Sequence, residues 1–342
     1  MPVSRHRRMS SWRLLLAAMA VTVLLGGCDL RRETPPPTPR SADAVEQARQ
    51  RAAVESRELV ALADASDPAA GADFRPALAT IGAHASAQLT ELGGVYVDPG
   101  ATPTGTPSGA TPTGTPSGAT PAGTPGAATP TAVSPAALVA RLDQSYAATR
   151  SAAVAATDGK LARLLASISA DRIIQARQLA QRASLAMPPL TTSEVPSALP
   201  SELATSAAVD LVAAEDEAGF AWEVSAALRT GTERQSALAR AAIHRVRAQA
   251  WAEAAKVAAT AQDPRRVAYT IDRVAAAARL PADVETALAA RYSSLVATVG
   301  PAGRAVMVDD LADCAATARV WGAPQTAFPG LPERPADSSP TP

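Results

Sequence analysis

Apolar positions recur at three- and four-residue intervals along most of the chain, and period-two alternation of β-branched residues is nowhere sustained. The pattern predicts eight helices, over about 41–66, 74–92, 135–157, 158–186, 202–229, 233–260, 282–298 and 302–321. Local signals mark several ends. Gly93-Gly94 closes the second helix. Ser134-Pro135 reads as an N-cap followed by proline in the first turn. Thr232-Glu233-Arg234-Gln235 matches a capping box, and Gly300-Pro301 separates the last two helices. Aromatic residues make up only 3% of the chain, so the core must be built from Ala, Leu and Val, which suits closely packed helices.

The helices fall into two sets of four. Residues 41–94 and 135–187 give the two helix pairs of a first bundle, and 201–322 gives a second bundle. The linker 188–200, with Pro188, Pro189, Pro196 and Pro200, lies between them, and the tail 323–342 is expected to be extended. The insert 95–134 interrupts the first set. Its unit Ala101-Thr102-Pro103-Thr104-Gly105-Thr106-Pro107-Ser108-Gly109 is repeated unchanged at 110–118, a composition that cannot bury a core and is expected to be disordered. The halves look related. Glu55 and His84 are 29 residues apart, as are Glu215 and His244, and Leu138-Val139-Ala140-Arg141 echoes Leu288-Ala289-Ala290-Arg291. An internal duplication is the expected origin.

The N-terminus changes the picture from a soluble bundle to an anchored one. Arg5, Arg7, Arg8 and Arg13 precede about a dozen mainly apolar residues, Leu14 to Leu25, and then Gly26-Gly27-Cys28. The run is short for a membrane span but suits a signal peptide over residues 1–27. Leu25-Gly26-Gly27-Cys28 resembles a bacterial lipobox, in which the cysteine thiol takes a diacylglyceryl group before cleavage. The expected location is the outer face of a plasma membrane, with lipid on Cys28 and residues 28–40 as a proline-rich spacer. Cys314 is the only other cysteine, so the lipidated chain has no intramolecular disulfide. Its helical context reads as a small buried residue. The chain has 32 basic and 32 acidic residues, and removal of the signal region leaves the remainder near −4. Without a basic excess, nucleic acid is not an expected partner.

Two polar residues in each half stand on apolar faces. Glu215 shares a stripe with Leu211, Val212, Gly219 and Trp222, and His244 shares one with Ala237, Ala241, Ala248 and Trp251. Glu55 lies with Ala48, Ala52, Leu59 and Leu62, and His84 with Ala77, Ile81 and Ala87. An inward carboxylate and histidine on paired helices are the parts of a metal site in a bundle, to which Glu285 and Asp313 could add oxygens. However, Ala241 and Ile81 stand three residues before the two histidines, where a di-iron bundle needs glutamate. The alternative is a buried Glu–His hydrogen bond that fixes helix packing. Glycine-rich phosphate loops, G-x-S-x-G and Cys/His clusters are absent from the sequence. The arginine-rich stretch Arg234 to Arg247 reads as a solvated face.

Ala213-Ala214-Glu215-Asp216-Glu217 with Phe220 and Trp222, then Ala242-Ile243-His244-Arg245, Tyr292-Ser293-Ser294-Leu295-Val296, Trp321-Gly322 and Ala327-Phe328-Pro329-Gly330-Leu331, resemble an actinobacterial family of unknown function classed as ferritin-like. The resemblance covers about residues 203–331, and Leu164-Leu165-Ala166-Ser167 resembles the helical region that often precedes that domain. It implies a four-helix bundle in a secreted or lipid-anchored protein, and no known reaction. Glu215 and His244 match the family's usual Glu and His. Glu285 matches a glutamate seven residues before the tyrosine, and Asp313 falls where glutamate is common. The chain departs from the pattern where Phe220 and Trp222 replace tyrosines, and where Gln175 stands in place of a histidine in the first half.

The expected protein is therefore all-α, with two ferritin-like four-helix bundles after a lipoprotein signal peptide. The expected role is non-enzymatic binding or scaffolding of an envelope partner, without a cofactor. The rival is a bundle holding iron or another transition metal through Glu215, His244, Glu285 and Asp313. A ligand-binding lipoprotein of a transport system is a third class, disfavoured because such proteins usually have two α/β lobes.

Overall fold

A computed structural model describes residues 42–65, 74–96, 133–271 and 279–334. The signal peptide, Cys28, the spacer and nearly all of the Thr/Pro/Gly insert lie outside these residues. Eight helices follow in chain order: α1 (Ala44–Asp64), α2 (Arg75–Glu91), α3 (Pro135–Ala155), α4 (Gly159–Arg182), α5 (Thr205–Ala227), α6 (Gly231–Ala254), α7 (Leu280–Thr298) and α8 (Pro301–Val320). The chain is all-α: no strand is formed among the described residues. None of the described helices is long and apolar enough to cross a membrane.

The ends follow the local chemistry. Asp43, Ser134 and Asp158 each accept a backbone N–H from the first turn of the helix that follows. Gly93 and Gly94 take φ of 77° and 75° and stop α2. Two expectations shift. The capping box at Thr232 is not used: α6 begins at Gly231 with Thr230 as its N-cap. It also ends early, at Ala254, because Lys256 adopts a left-handed φ of 58° and Val257 N–H turns back to Ala252 O. No glycine advertises that stop.

Consecutive helices pair as antiparallel neighbours, α1 with α2, α3 with α4, α5 with α6 and α7 with α8. The two sets do not hang from a linker. Helix α4 packs on α7 and α8 as well as on α3, and α8 also touches α3. All residues of α4 from Leu165 to Ala176 are buried, so it has no solvent face in that stretch. One hydrophobic cluster runs through both halves, from Leu59 and Leu142 to Val296 and Leu311. Small side chains permit this: Ala162, Ala166, Ala170 and Ala176 are fully buried on α4.

Three features tie the halves together. Arg150 forms a bidentate pair with Asp309, at 2.6 and 2.8 Å. Arg304, 2% exposed, donates to Val296 O and Val299 O at the end of α7 and to Ala153 O, Val154 O and Ala156 O at the end of α3. It satisfies carbonyls that both helix ends leave open. The segment 323–334, expected as an extended tail, is a non-helical strap that buries Ala327 and Leu331. Ser167 donates to its Pro329 O at 2.8 Å, and Gln88 to its Ala327 O at 3.2 Å. Similarly, residues 188–200 lie against the body: Leu190, Val195 and Leu199 pack on the main cluster, and Ser193 donates to Asp309 at 2.6 Å.

Candidate functional site: a buried ionic ring in the second half

The stripes read from the sequence bring Glu215 and His244 together. Both are fully buried, and His244 Nδ1 lies 2.6 Å from Glu215 Oε2. The other ring nitrogen, Nε2, lies 2.9 Å from Glu285 Oε1. Glu285, on α7, also accepts from Trp222 Nε1 at 2.9 Å and is gripped by Arg240 through Nε at 2.5 Å and Nη2 at 2.6 Å. Arg240 reaches on to Asp313 at 2.6 Å. Asp313 is shared with Arg247 at 2.7 Å, and Arg247 pairs with Asp310 at 2.6 Å. From the other side, Tyr292 donates its hydroxyl to Glu215 and stands beside Asp310. Eight side chains from α5, α6, α7 and α8 thus form a nearly closed ring.

Electrostatics follow from burial and pairing. Burial alone would lower the His244 pKa; hydrogen bonds to Glu215 and Glu285 outweigh it and hold the imidazole above its ordinary value. Glu285 shows the mirror image: burial raises it, but Arg240 and His244 bring it down to about 2. For Asp313, too, Arg240 and Arg247 outweigh burial and lower the carboxyl. Asp310 differs. Burial dominates there, Arg247 opposes it, and the Glu215 and Asp313 charges assist, so its pKa rises to about 7. Its Oδ2 has no hydrogen-bond partner. Burial also pushes the Cys314 thiol and Tyr292 hydroxyl well above their usual ranges, and the thiol is an inert acceptor 3.6 Å from Arg240.

All four candidate metal ligands, Glu215, His244, Glu285 and Asp313, are in the ring. Their donor set does not fit a metal as it stands. His244 has each nitrogen against a carboxylate, and Glu285 and Asp313 already face guanidinium groups, which supply the positive charge a metal would bring. No group of three or more His, Cys, Asp or Glu side chains among the described residues is arranged to hold a metal ion.

Arg234 to Arg247 is not a uniformly solvated face. Arg240 is 6% exposed, and Arg247 is directed into the ring. Their signal was present: Arg240, His244 and Arg247 are spaced i, i+4, i+7, which places them on one helix face. Trp222 joins the ring through its indole N–H, which donates to Glu285.

In the first half the matched residues take separate partners. Glu55 accepts from Ser145 at 2.8 Å, Thr149 at 3.2 Å and the fully buried Arg172 at 2.7 Å. His84 Nδ1 faces Asp171 Oδ1 at 2.8 Å, and Gln88 and Gln175 donate to Asp171 Oδ2. Glu55 and His84 therefore do not meet as Glu215 and His244 do; Arg172 and Asp171 on α4 take them separately.

No curated protein and no solved structure matches the chain. Residues 207–333, which contain the whole ring and most of the strap, match a domain of unknown function (DUF4439).

Proposed function

We propose that this protein is a non-enzymatic component of a bacterial envelope, held by lipid on Cys28 at the outer face of the plasma membrane, whose helical body binds or scaffolds an envelope partner. The ring is then a structural device that fixes how α5, α6, α7 and α8 pack. One observation carries this reading: the hydrogen-bonding groups of Glu215, His244 and Glu285 are engaged by other protein side chains, which leaves no open position for a reacting group. The ferritin-like resemblance agrees with the bundle and with an extracytoplasmic address.

Metal analysis tests the structural role. Purified protein is expected to contain no stoichiometric iron, manganese or zinc, and adding these ions is expected to leave the melting temperature unchanged. A metal-dependent rise in wild type that is missing in His244→Ala would establish the metal-binding bundle instead. Anchoring has its own test. Cys28→Ala is expected to abolish metabolic labelling with a fatty-acid analogue, because no other thiol stands at the cleavage site. Labelling that persists in the variant would refute the lipobox.

A further inference from the structure

A cavity of about 220 Å³ lies between α4, α7, α8 and the strap, and none of its lining residues belongs to the ionic ring. Its walls are mainly small or apolar, among them Ile174, Ala289, Ala318, Phe328 and Leu331. The strap is held close by a conformation suited to glycine. Gly330 has φ of 77°, and a Cβ there would come within 2.6 Å of Leu311 and 2.9 Å of Ala289 O.

Two arginines at this cavity have unmet donors. Arg319, in the last turn of α8, gives Nη1 to Ala323 O at 3.1 Å, but its buried Nε has no acceptor. Arg334 pairs with Glu91 and lies over the Phe328 ring at 5.1 Å, and its Nε is likewise buried without an acceptor. Of the other inward arginines, Arg304 is taken up by helix-end carbonyls, and Arg150, Arg172, Arg240 and Arg247 each meet a carboxylate. Arg319 meets none among the described residues. The cavity's buried acid, Asp171, is already supplied by His84, Gln88 and Gln175, so it is not a free site for a cation.

We propose that this cavity binds a small organic carboxylate, with the anionic head on Arg319 and Arg334 and a compact hydrocarbon body against Ala289, Ala318, Phe328 and Leu331. Guanidinium N–H groups match carboxylate oxygens in geometry and charge, and an apolar pocket with few convergent polar groups is the usual form of a small-ligand site. The size suits a body of several carbons rather than a single water. The inference goes beyond the scaffolding reading and does not depend on the role of the ring.

Titration of the full chain carrying Cys28→Ser, which removes any competing acyl group, tests the site with hexanoate, 1-hexanol, hexylamine and inorganic phosphate as probes. Hexanoate is expected to shift amide resonances of the strap and α8, with phosphate and hexylamine at least tenfold weaker. Arg319→Gln is expected to weaken hexanoate at least tenfold while 1-hexanol, a weak binder in both proteins, is unaffected. Ala318→Leu, which fills the cavity from one wall, should remove both. A melting curve close to that of wild type for Arg319→Gln separates loss of binding from loss of fold; if that variant is unfolded, the ranking of the four probes on unmutated Arg319 decides. Equal binding of hexanol and hexanoate, or unchanged hexanoate affinity in a folded Arg319→Gln, would overturn the proposal.

Discussion

Arg240→Met is expected to destabilise the protein by about 3–5 kcal/mol, because it leaves the Glu285 carboxylate buried beside only one cation. Glu285 is fully buried and Arg240 grips both of its oxygens. Glu285→Met should cost a similar amount, since it leaves the buried Arg240 guanidinium with Asp313 alone and empties one side of His244. Replacing both by methionine removes the two opposite charges together. Its cost is expected to fall short of the sum of the single changes by at least about 1–3 kcal/mol. Urea unfolding of the four proteins measures that coupling. Additivity within about 0.5 kcal/mol would show that the pair is not an interacting unit. Aggregate contributions from Trp222 and Asp313 are the same in both arms, so they do not mimic the coupling.

Helix positions were legible because the three-to-four-residue period survives in an alanine-rich chain, and because Ser134, Gly93, Gly94 and Gly300 mark ends by backbone chemistry. The inward stripe of Glu215 and His244 was legible for the same reason. What the pattern hides is burial on several sides. Helix α4 sets Ser, Asp, Arg and Gln against Leu and Ile, so its polar side reads as a solvent face although Leu165 to Ala176 is enclosed throughout. Charge runs mislead in a related way. An arginine costs too much to bury alone, so Arg234 to Arg247 reads as surface until its carboxylates are placed opposite. Those partners, Glu285, Asp310 and Asp313, come from helices distant in sequence, and only tertiary packing brings them to Arg240 and Arg247. The same holds in the first half, where Arg172 and Asp171 claim Glu55 and His84 separately. The strap is a third case: its proline and glycine content suggests a loose tail, but Gly330 is what lets it lie against Leu311 and Ala289.

Charge balance in the ring leads to a pH dependence centred on Asp310. Asp310 is buried beside the Glu215 and Asp313 carboxyls, with Arg247 as the opposing cation. The folded-state pKa of Asp310 is raised to about 7, from an unfolded value near 3.8. A carboxyl that binds its proton more tightly when folded stabilises the native state at low pH. That contribution falls as pH rises from the unfolded value to the folded one, because the unfolded chain then holds fewer protons. Between pH 5 and pH 8 the loss from Asp310 amounts to roughly 3 kcal/mol. His244 acts in the same direction: its raised pKa gives stability that is full below about 6.5 and disappears as pH climbs through the folded value. Glu285 and Asp313 act oppositely, but only as acid approaches their lowered values, below this window. Wild type is therefore expected to lose stability from pH 5 to pH 8. Asp310→Asn keeps the shape and the neutral charge, and should flatten the profile by about 3 kcal/mol relative to wild type, leaving the His244 slope. Denaturant midpoints at pH 5, 6, 7 and 8 for the two proteins give the comparison. Parallel profiles would mean that Asp310 does not change its protonation between pH 5 and pH 8.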